Sequence, residues 1–346
     1  MRVRYHVVQS LTQSAGRVSL ASFAAVALLI PLLMVAACGS SPSGINSSPP
    51  PKGAVNVAYA GSLVNLMEHK LGPAFQHDSG YTYQGKGAGS TALANQIKSK
   101  LISPDVFISA SAGAYSPLEG AANGNIVSWY MSFAATAMVI GYSPKSSFAS
   151  QFQAAASGTT PWYQVLESSG LRLGRTDPAL DPKGVNTLFT MQLAEKYYQQ
   201  PGLAVRILGA NNNPAQIFPE ETLVARLGSG ELDAGFFYRN EVKDAGLPFI
   251  ELPAQINLGD PSQASYYAQA SYTTSTGQKQ TGKPILYSIT IPSTVKNLPG
   301  AEGFVAYLLG DAGKTVLTDD GITRIPVVVG GDASKIPSAL ATYVRS

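Results

Sequence analysis

Residues 55–63 decide the fold, and they read VNVAYAGSL. From Val55 to Tyr59 every second residue is large and apolar, which is the period of a β-strand. A Gly-Ser turn follows, and apolar residues then recur at helical spacing from Leu63. This order places Ser62 at a helix start, beside free backbone N–H groups and the positive end of the helix dipole, which together suit an anion. An ordinary N-cap serine gives the same pattern, and this turn alone favours plain capping over an anion site.

A second turn of the same kind lies about thirty residues later, where residues 85–91 read GKGAGST. It follows a short alternating run at residues 81–83 and precedes apolar residues at helical spacing. Ser90 therefore also falls at a predicted helix start, and two such serines can donate to one oxyanion. A phosphate-binding P-loop needs Gly-Lys-Ser/Thr after a longer glycine loop, whereas Lys86 precedes the glycines. The sequence predicts an anion-binding site and not a nucleotide hydrolase.

The chain begins with an export signal. Residues 1–37 contain three arginines and no acidic residue, then a long apolar run that ends in small residues. This arrangement predicts a secretory leader. Cys38 follows the small residues directly, as in a bacterial lipobox, which predicts cleavage before Cys38 and lipidation of its thiol. An uncleaved membrane-spanning helix is the alternative, and the proline within the apolar run and the small-residue end make it the weaker one.

Residues 38–53 are rich in Ser, Pro and Gly and predict a flexible linker behind the lipid anchor. Cys38 is also the single cysteine of the chain, so the sequence offers no disulfide framework and no cysteine-rich metal site. We therefore expect a lipoprotein that is held at the cell membrane and faces the periplasm or the extracellular side.

The charge of the mature chain excludes an obvious nucleic-acid partner. Without the three leader arginines, 21 of the 24 basic residues remain and match the 21 acidic residues. The basic residues form no stripe, and the aromatic residues are spread along the sequence.

The order of predicted elements indicates an α/β fold. Strands and helices alternate along the chain, which is typical of a mostly parallel sheet with helices on both faces. A chain of this length usually divides into two units. Apolar strands near residues 137–142 and 285–292 are the predicted crossings. We expect one lobe to comprise residues 54–139 and 287–346 and the other residues 140–286, each built on a mostly parallel sheet flanked by helices.

Candidate site residues of the second lobe lie at the ends of strands and the starts of helices. Asp181 comes directly before a proline, which holds it extended near a predicted helix start. Glu220 and Glu221 open another helix, and Tyr238 ends an aromatic strand. Each has an ordinary structural interpretation, since Asp-Pro pairs occur in plain turns and acids are common in first helical turns.

Seven short motifs carry a resemblance to a known family. They are AGSL at 60–63, AGS at 88–90, DPKG at 181–184, PEET at 219–222, SGELD at 229–233, FYR at 237–239 and GKPI at 282–285. In this order the chain resembles the periplasmic tungstate- and molybdate-binding proteins of ABC importers, within the type II solute-binding fold. The resemblance covers nearly the whole mature chain.

The resemblance implies a two-lobed clamp that closes on a tetrahedral oxyanion and delivers it to the permease subunits of an ABC transporter. Together with the predicted lipid anchor, we expect a monomer that is held at the membrane and uses no cofactor. The implied ligand-binding residues are Ser62, Ser90, Asp181, Tyr238 and one of Glu220 and Glu221. The choice between the two glutamates stays open, because counting back from the SGELD motif selects Glu220, whereas matching the PEET motif selects Glu221.

In the archaeal branch of that family an aspartate and a glutamate contact the metal centre of the oxyanion itself. By resemblance, Asp181 and Glu220 or Glu221 would do so here. Carboxylates near a dianion repel it unless they are protonated or coordinate the metal, so direct contact is the hypothesis that fits these residues.

Other functions compete with this interpretation. The same fold can bind sulfate, phosphate or a small organic anion. A hydrolase is less favoured because the chain has three histidines and neither a Gly-x-Ser-x-Gly elbow nor a His-Glu-x-x-His motif. We expect a binding protein and not an enzyme.

Overall fold

The computed structural model describes residues 52–344. The predicted leader at residues 1–37, Cys38 and nearly all of the predicted linker at 38–53 lie outside the described residues. Among the residues that are described, no helix has the length and apolar character needed to cross a membrane.

The described strands and helices alternate along the chain, as the sequence predicts. The strands are β1 (Ala54–Ala60), β2 (Thr82–Ala88), β3 (Val106–Ser109), β4 (Trp129–Ala135), β5 (Met138–Tyr142), β6 (Leu173–Gly174), β7 (Ala234–Tyr238), β8 (Phe249–Glu251), β9 (Ser271–Thr273), β10 (Lys279–Thr281), β11 (Leu286–Thr290) and β12 (Thr323–Gly331). The α-helices are α1 (Val64–Leu66), α2 (Gly72–Ser79), α3 (Ser90–Lys98), α4 (Ala149–Ala156), α5 (Trp162–Leu166), α6 (Pro182–Tyr197), α7 (Leu203–Leu208), α8 (Glu220–Ser229), α9 (Arg239–Asp244), α10 (Ala264–Tyr267), α11 (Leu298–Leu309) and α12 (Asp311–Asp319). Short 3₁₀ or π segments extend some of these helices, such as Gly61–Leu63 and Met67–Leu71 next to α1, and other 3₁₀ segments stand alone.

Two sheets organise the described chain. The large sheet has the strand order β12-β4-β11-β3-β1-β2, and the small sheet has the order β6-β7-β5-β8. Strands β9 and β10 form a separate antiparallel hairpin. We call the large sheet with α1–α3, α11 and α12 the large-sheet half, and the small sheet with α4–α10 and the hairpin the small-sheet half.

Both sheets are mixed, so the prediction of mostly parallel sheets is wrong. Strands joined through helices are parallel, as β1 is with β2 and β3 and as β6 is with β7. In contrast, β11 and β12 run against β4, and β5 runs against β7 and β8. The crossings explain this. Strand β4 runs in the same direction as β1 and β3 and ends at the same edge of the large sheet. The chain then crosses to the small sheet, where β5 runs antiparallel to β7 and β8. Strand β11 crosses back and runs antiparallel to β3 and β4.

The crossings lie close to the predicted lobe boundaries. Strand β4 ends at Ala135 and β5 begins at Met138, so all of β5 belongs to the small sheet although the predicted boundary divides it at residue 139. Strand β11 of the large sheet begins at Leu286. The division into lobes 54–139 with 287–346 and 140–286 stays a prediction.

Two local expectations differ from the structure. The glycines at residues 85–87 do not form a turn, because β2 pairs with β1 along its whole length up to Ala88. A Cβ on Gly87 would lie 2.6 Å from the Val64 side chain, so glycine lets the neighbouring helix pack on this strand. The apolar spacing after Asp181 predicts a helix from Asn186, whereas α6 begins at Pro182, since proline is favoured in the first helical position.

Asp105 fixes the start of β3 against β1 and the segment before α11. Its Oδ2 accepts hydrogen bonds from the backbone N of Asn56 (2.8 Å) and from the Asn56 side chain (3.0 Å). Its Oδ1 accepts from the backbone N of Lys296 and of Asn297, both at 2.9 Å. Burial by itself would raise the pKa of Asp105, but the hydrogen bonds from these neighbours lower it overall.

Replacement of Asp105 by alanine is expected to lower the free energy of unfolding by about 2–4 kcal/mol at neutral pH, because four partly buried donors lose their acceptor. A lowered folded-state pKa means that the stabilisation is present above the ordinary aspartate pKa and is lost as the pH falls through the folded value. Denaturant unfolding should therefore show the deficit of Asp105→Ala shrinking towards about pH 3. Exposed Asp319→Ala is the control, and equal stability of Asp105→Ala and wild type would contradict the assignment.

Candidate functional site

Ser62 and Ser90 lie at the same edge of the large sheet. Strands β1 and β2 are parallel, with Ala60 opposite Ala88, and each serine comes two residues after its strand ends. Both serines are buried. The carboxyl ends of parallel strands are where α/β sheets place their binding sites. The structure thus brings together the two serines that the sequence singles out.

Neither serine caps a helix with its side chain. Ser62 lies within a 3₁₀ turn, and Gly89 occupies the position before α3. The Ser62 hydroxyl instead accepts a hydrogen bond from the Tyr287 hydroxyl (3.1 Å), and the Ser90 hydroxyl accepts one from the backbone N of Ala110 (3.1 Å). A serine that accepts in this way keeps its own hydrogen as a donor. The capping interpretation of these two serines is wrong.

Tyr238 repeats this arrangement in the small-sheet half. It is the last residue of β7 and is fully buried. Its hydroxyl accepts a hydrogen bond from the Asn186 side chain (3.0 Å), which again leaves the phenolic hydrogen as a donor. Burial raises the pKa of Tyr238, so the phenol stays protonated.

Asp181 and Glu220 are buried at the starts of α6 and α8, whereas Glu221 is exposed. The Asp181 Oδ1 accepts a hydrogen bond from the backbone N of Lys183 (2.7 Å) and so caps α6. Its Oδ2 and both carboxyl oxygens of Glu220 are buried and accept no hydrogen bond of good geometry from the described residues, although the Lys183 ammonium forms an ion pair with Glu220 Oε1 at 3.3 Å. Of the two glutamates that the sequence leaves open, Glu220 is the one beside Asp181.

The two carboxyl groups influence each other's charge. Burial raises the pKa of Asp181 and of Glu220 above the ordinary values, and the Asp181 carboxylate raises the pKa of Glu220 further. The nearby Lys183 ammonium acts in the opposite direction on both groups. The pair therefore holds a proton more readily than exposed carboxylates do.

The two halves of the molecule meet at this site. A Cβ on Gly61 would lie 2.6 Å from the Glu220 Oε2, and a Cβ on Gly89 would lie 2.7 Å from the Leu180 carbonyl oxygen and 3.1 Å from the Asp181 Cβ. The backbone N of Ala92 donates to that same carbonyl at 3.0 Å. The serine turns of the large-sheet half thus pack directly against the carboxyl groups of the small-sheet half.

Further residues of the site are absent from the sequence prediction. Lys183 is fully buried, with its Nζ 2.6 Å from Glu241 Oε1 and 3.3 Å from Glu220 Oε1. Asn240 donates to the Ser62 carbonyl oxygen at 2.9 Å, across the two halves. Lys183 lies inside the DPKG motif, and Asn240 and Glu241 follow Tyr238 closely, so the motifs point to the segments although not to these side chains.

This arrangement offers hydroxyl donors on two sides and a pair of carboxyl groups on one. Such a set suits a ligand that carries acceptor oxygens and a centre able to take further oxygen ligands. Within residues 52–344 no group of three or more His, Cys, Asp or Glu side chains is arranged to hold a metal ion.

Comparison with known proteins gives consistent matches. Residues 55–323 match the family model described as bacterial extracellular solute-binding protein. A putative ABC transporter molybdenum-binding protein of Haloferax volcanii is 35% identical over 237 residues, which cover 68% of this chain and 72% of that protein. The molybdate/tungstate-binding protein WtpA of Thermococcus kodakarensis is 28% identical over 319 residues, which cover 85% of this chain and 88% of that protein.

A solved structure bears on the fold. The periplasmic molybdate-binding protein of Azotobacter vinelandii aligns with a TM-score of 0.55 at 17% sequence identity, and the alignment covers 78% of this chain and 98% of that one. At this identity the similarity concerns the fold alone. It confirms the predicted two-lobed periplasmic-binding-protein fold.

The raised pKa of Glu220 predicts a pH-dependent stability for the ligand-free protein. A carboxyl group with a raised folded-state pKa stabilises the protein below its unfolded pKa, and that contribution is lost as the pH rises through the folded value. Glu220→Gln removes this titration. Its free energy of unfolding relative to wild type should therefore increase by at least about 1 kcal/mol between about pH 5 and about pH 9.

Exposed Glu221→Gln is the matched control and should follow wild type at both pH values. Parallel pH profiles for Glu220→Gln and wild type in denaturant titrations would show that Glu220 ionises normally and would contradict this account of the site.

Proposed function

The chain belongs to the bacterial extracellular solute-binding protein family, and on that premise we propose that it captures tungstate or molybdate between its two halves. The family consists of substrate-binding transport proteins, which confirms the expectation that the chain is not an enzyme. The proposed ligand-binding residues are Ser62, Ser90, Asp181, Glu220 and Tyr238.

One observation carries this proposal. Ser62, Ser90 and Tyr238 each accept a hydrogen bond from a protein donor, so each hydroxyl hydrogen is left to donate to a ligand. Hydrogen bonds to a charged group contribute about 2 kcal/mol each, so five donors, counting nearby backbone N–H groups, would give roughly 10 kcal/mol. This corresponds to a dissociation constant on the order of 10⁻⁷ M.

The carboxyl groups favour a ligand whose central atom can coordinate additional oxygen atoms. Asp181 and Glu220 have buried oxygens without a hydrogen-bond donor among the described residues. They would repel a dianion, unless they bind its metal centre directly or are protonated. We propose direct contact of both groups with the molybdenum or tungsten atom, and we leave exposed Glu221 out of the site. Relatives named as molybdenum-binding and as molybdate/tungstate-binding support this choice.

The cellular setting is a proposal based on the N-terminal sequence. We propose that residues 1–37 are removed, that Cys38 carries a lipid, and that residues 38–53 link the protein to the membrane surface. From there the monomeric protein would deliver its oxyanion to the permease subunits of an ABC transporter.

Isothermal titration of the purified protein tests the ligand. Tungstate and molybdate are expected to bind with dissociation constants near 10⁻⁷ M. Sulfate and phosphate should bind at least about 100-fold more weakly, because they are smaller and their central atoms do not take the carboxylate oxygens. Tighter binding of sulfate, phosphate or a small organic anion would contradict the proposal, and turnover of an ester or phosphate would favour a hydrolase.

Closure of the two halves depends on Gly89. Alanine there would place a Cβ 2.7 Å from the Leu180 carbonyl oxygen, closer than Cβ atoms come in proteins, and a backbone atom cannot move aside without parting the halves. Gly89→Ala should weaken tungstate binding by at least about tenfold, since part of the binding energy is then spent on relieving the clash. It should also reduce the compaction that tungstate causes in small-angle X-ray scattering.

The matched control is Gly303→Ala in α11, where the nearest atom to a new Cβ lies 3.9 Å away. It should bind and compact like wild type. Equal affinity and equal compaction of Gly89→Ala and Gly303→Ala would rule out this contact as a determinant of closure.

A further inference from the structure

Lys183 is a fully buried lysine in the first turn of α6. Its Nζ lies 2.6 Å from Glu241 Oε1 and 3.3 Å from Glu220 Oε1. It also lies 5.7 Å from the ring centres of Phe237 and of Tyr238. Burial by itself would lower the pKa of Lys183, but the surrounding carboxylates raise it overall, so the side chain is an ammonium ion.

The carboxyl groups around Lys183 have different roles. Glu241 is fully engaged, since one oxygen accepts from Lys183 and the other accepts from the backbone N of Tyr238 at 2.7 Å. Asp181 and Glu220 keep buried oxygens without hydrogen-bond donors among the described residues. One ammonium therefore faces three buried carboxyl groups, two of which belong to the proposed oxyanion site.

An anion bound against Asp181 and Glu220 would lie next to carboxyl groups, and the Lys183 ammonium is 3.3 Å from Glu220 Oε1. Like charges at contact distance in a buried site repel strongly, and a buried ammonium beside the carboxylates reduces that repulsion. Removal of the ammonium would leave the carboxylates uncompensated, so they would oppose the ligand instead of contacting its centre.

We propose that Lys183 is the charge-balancing residue of the oxyanion site, and that its ammonium allows the Asp181 and Glu220 carboxylates to contact a dianion. This inference rests on the proposed function. Lys183 is a positioning residue in this role, because it acts on the ligand through the carboxyl groups.

The test is to titrate tungstate into the wild-type protein, two single variants and their double variant, together with a control variant. Lys183→Met keeps the length of the side chain and removes its charge, and it should weaken tungstate binding by at least about tenfold. Glu241→Gln makes the cluster less negative and should bind tungstate more tightly than wild type. The double variant Lys183→Met/Glu241→Gln has the same formal charge in the cluster as wild type, so it should recover most of the lost affinity.

Lys196→Met is the control, because this exposed lysine lies in the same helix α6 and contacts Gln269 instead of the site. Wild-type affinity in Lys183→Met, or a double variant as weak as Lys183→Met, would overturn the proposal, since a purely structural role for Lys183 predicts no rescue by charge. If Lys183→Met does not fold, the double variant decides: affinity within about threefold of wild type supports the proposal, and a loss of about tenfold or more overturns it. A wild-type protein that binds neither tungstate nor molybdate would instead refute the proposed function.

Discussion

Buried charge at the junction of the two sheets is the constraint on which the site depends. Asp181, Glu220, Glu241 and Lys183 are all withdrawn from water, although ionised groups lose several kcal/mol when they are buried without partners. The fold compensates in two ways. Lys183 contacts two of the carboxyl groups, and helices α6, α8 and α9 begin here, so that the positive ends of their dipoles face the negative charge.

The hydroxyl donors follow from the same topology. The chain crosses between the sheets at their carboxyl edges, so the ends of β1 and β2 face the ends of β6 and β7. Ser62 and Ser90 come from one edge and Tyr238 from the other, and each is oriented by a neighbouring donor. Rigid donors that are fixed by protein hydrogen bonds need little reordering when a ligand binds, which favours affinity and discrimination by ligand size. The pair of carboxyl groups adds a second basis for ligand selectivity. It would repel an anion whose central atom cannot bind additional oxygen ligands.

The sequence predicts the positions of the site residues better than their roles. The strand-turn-helix pattern at residues 55–63 identifies the edge that holds Ser62, and strand β7 ends at Tyr238 as the aromatic run indicates. The sheet directions are not predictable from local periodicity, because they depend on where β4, β5 and β11 cross. Nor does local sequence distinguish Glu220 from Glu221, since which of the two is buried depends on the packing of α8 against Gly61. Lys183 is missed because lysine is rarely buried, and only its three-dimensional surroundings reveal why it is tolerated here.

The most direct test is a crystal structure of the protein grown with tungstate, with the metal located by its anomalous scattering. We expect a single strong peak between the two sheets. Ser62, Ser90 and Tyr238 should donate hydrogen bonds to the oxyanion oxygens around this peak, and Asp181 and Glu220 should be directed at the tungsten atom. A peak on the outer surface, or one in the cleft that leaves both serines and both carboxyl groups without contact to the ligand, would contradict this account.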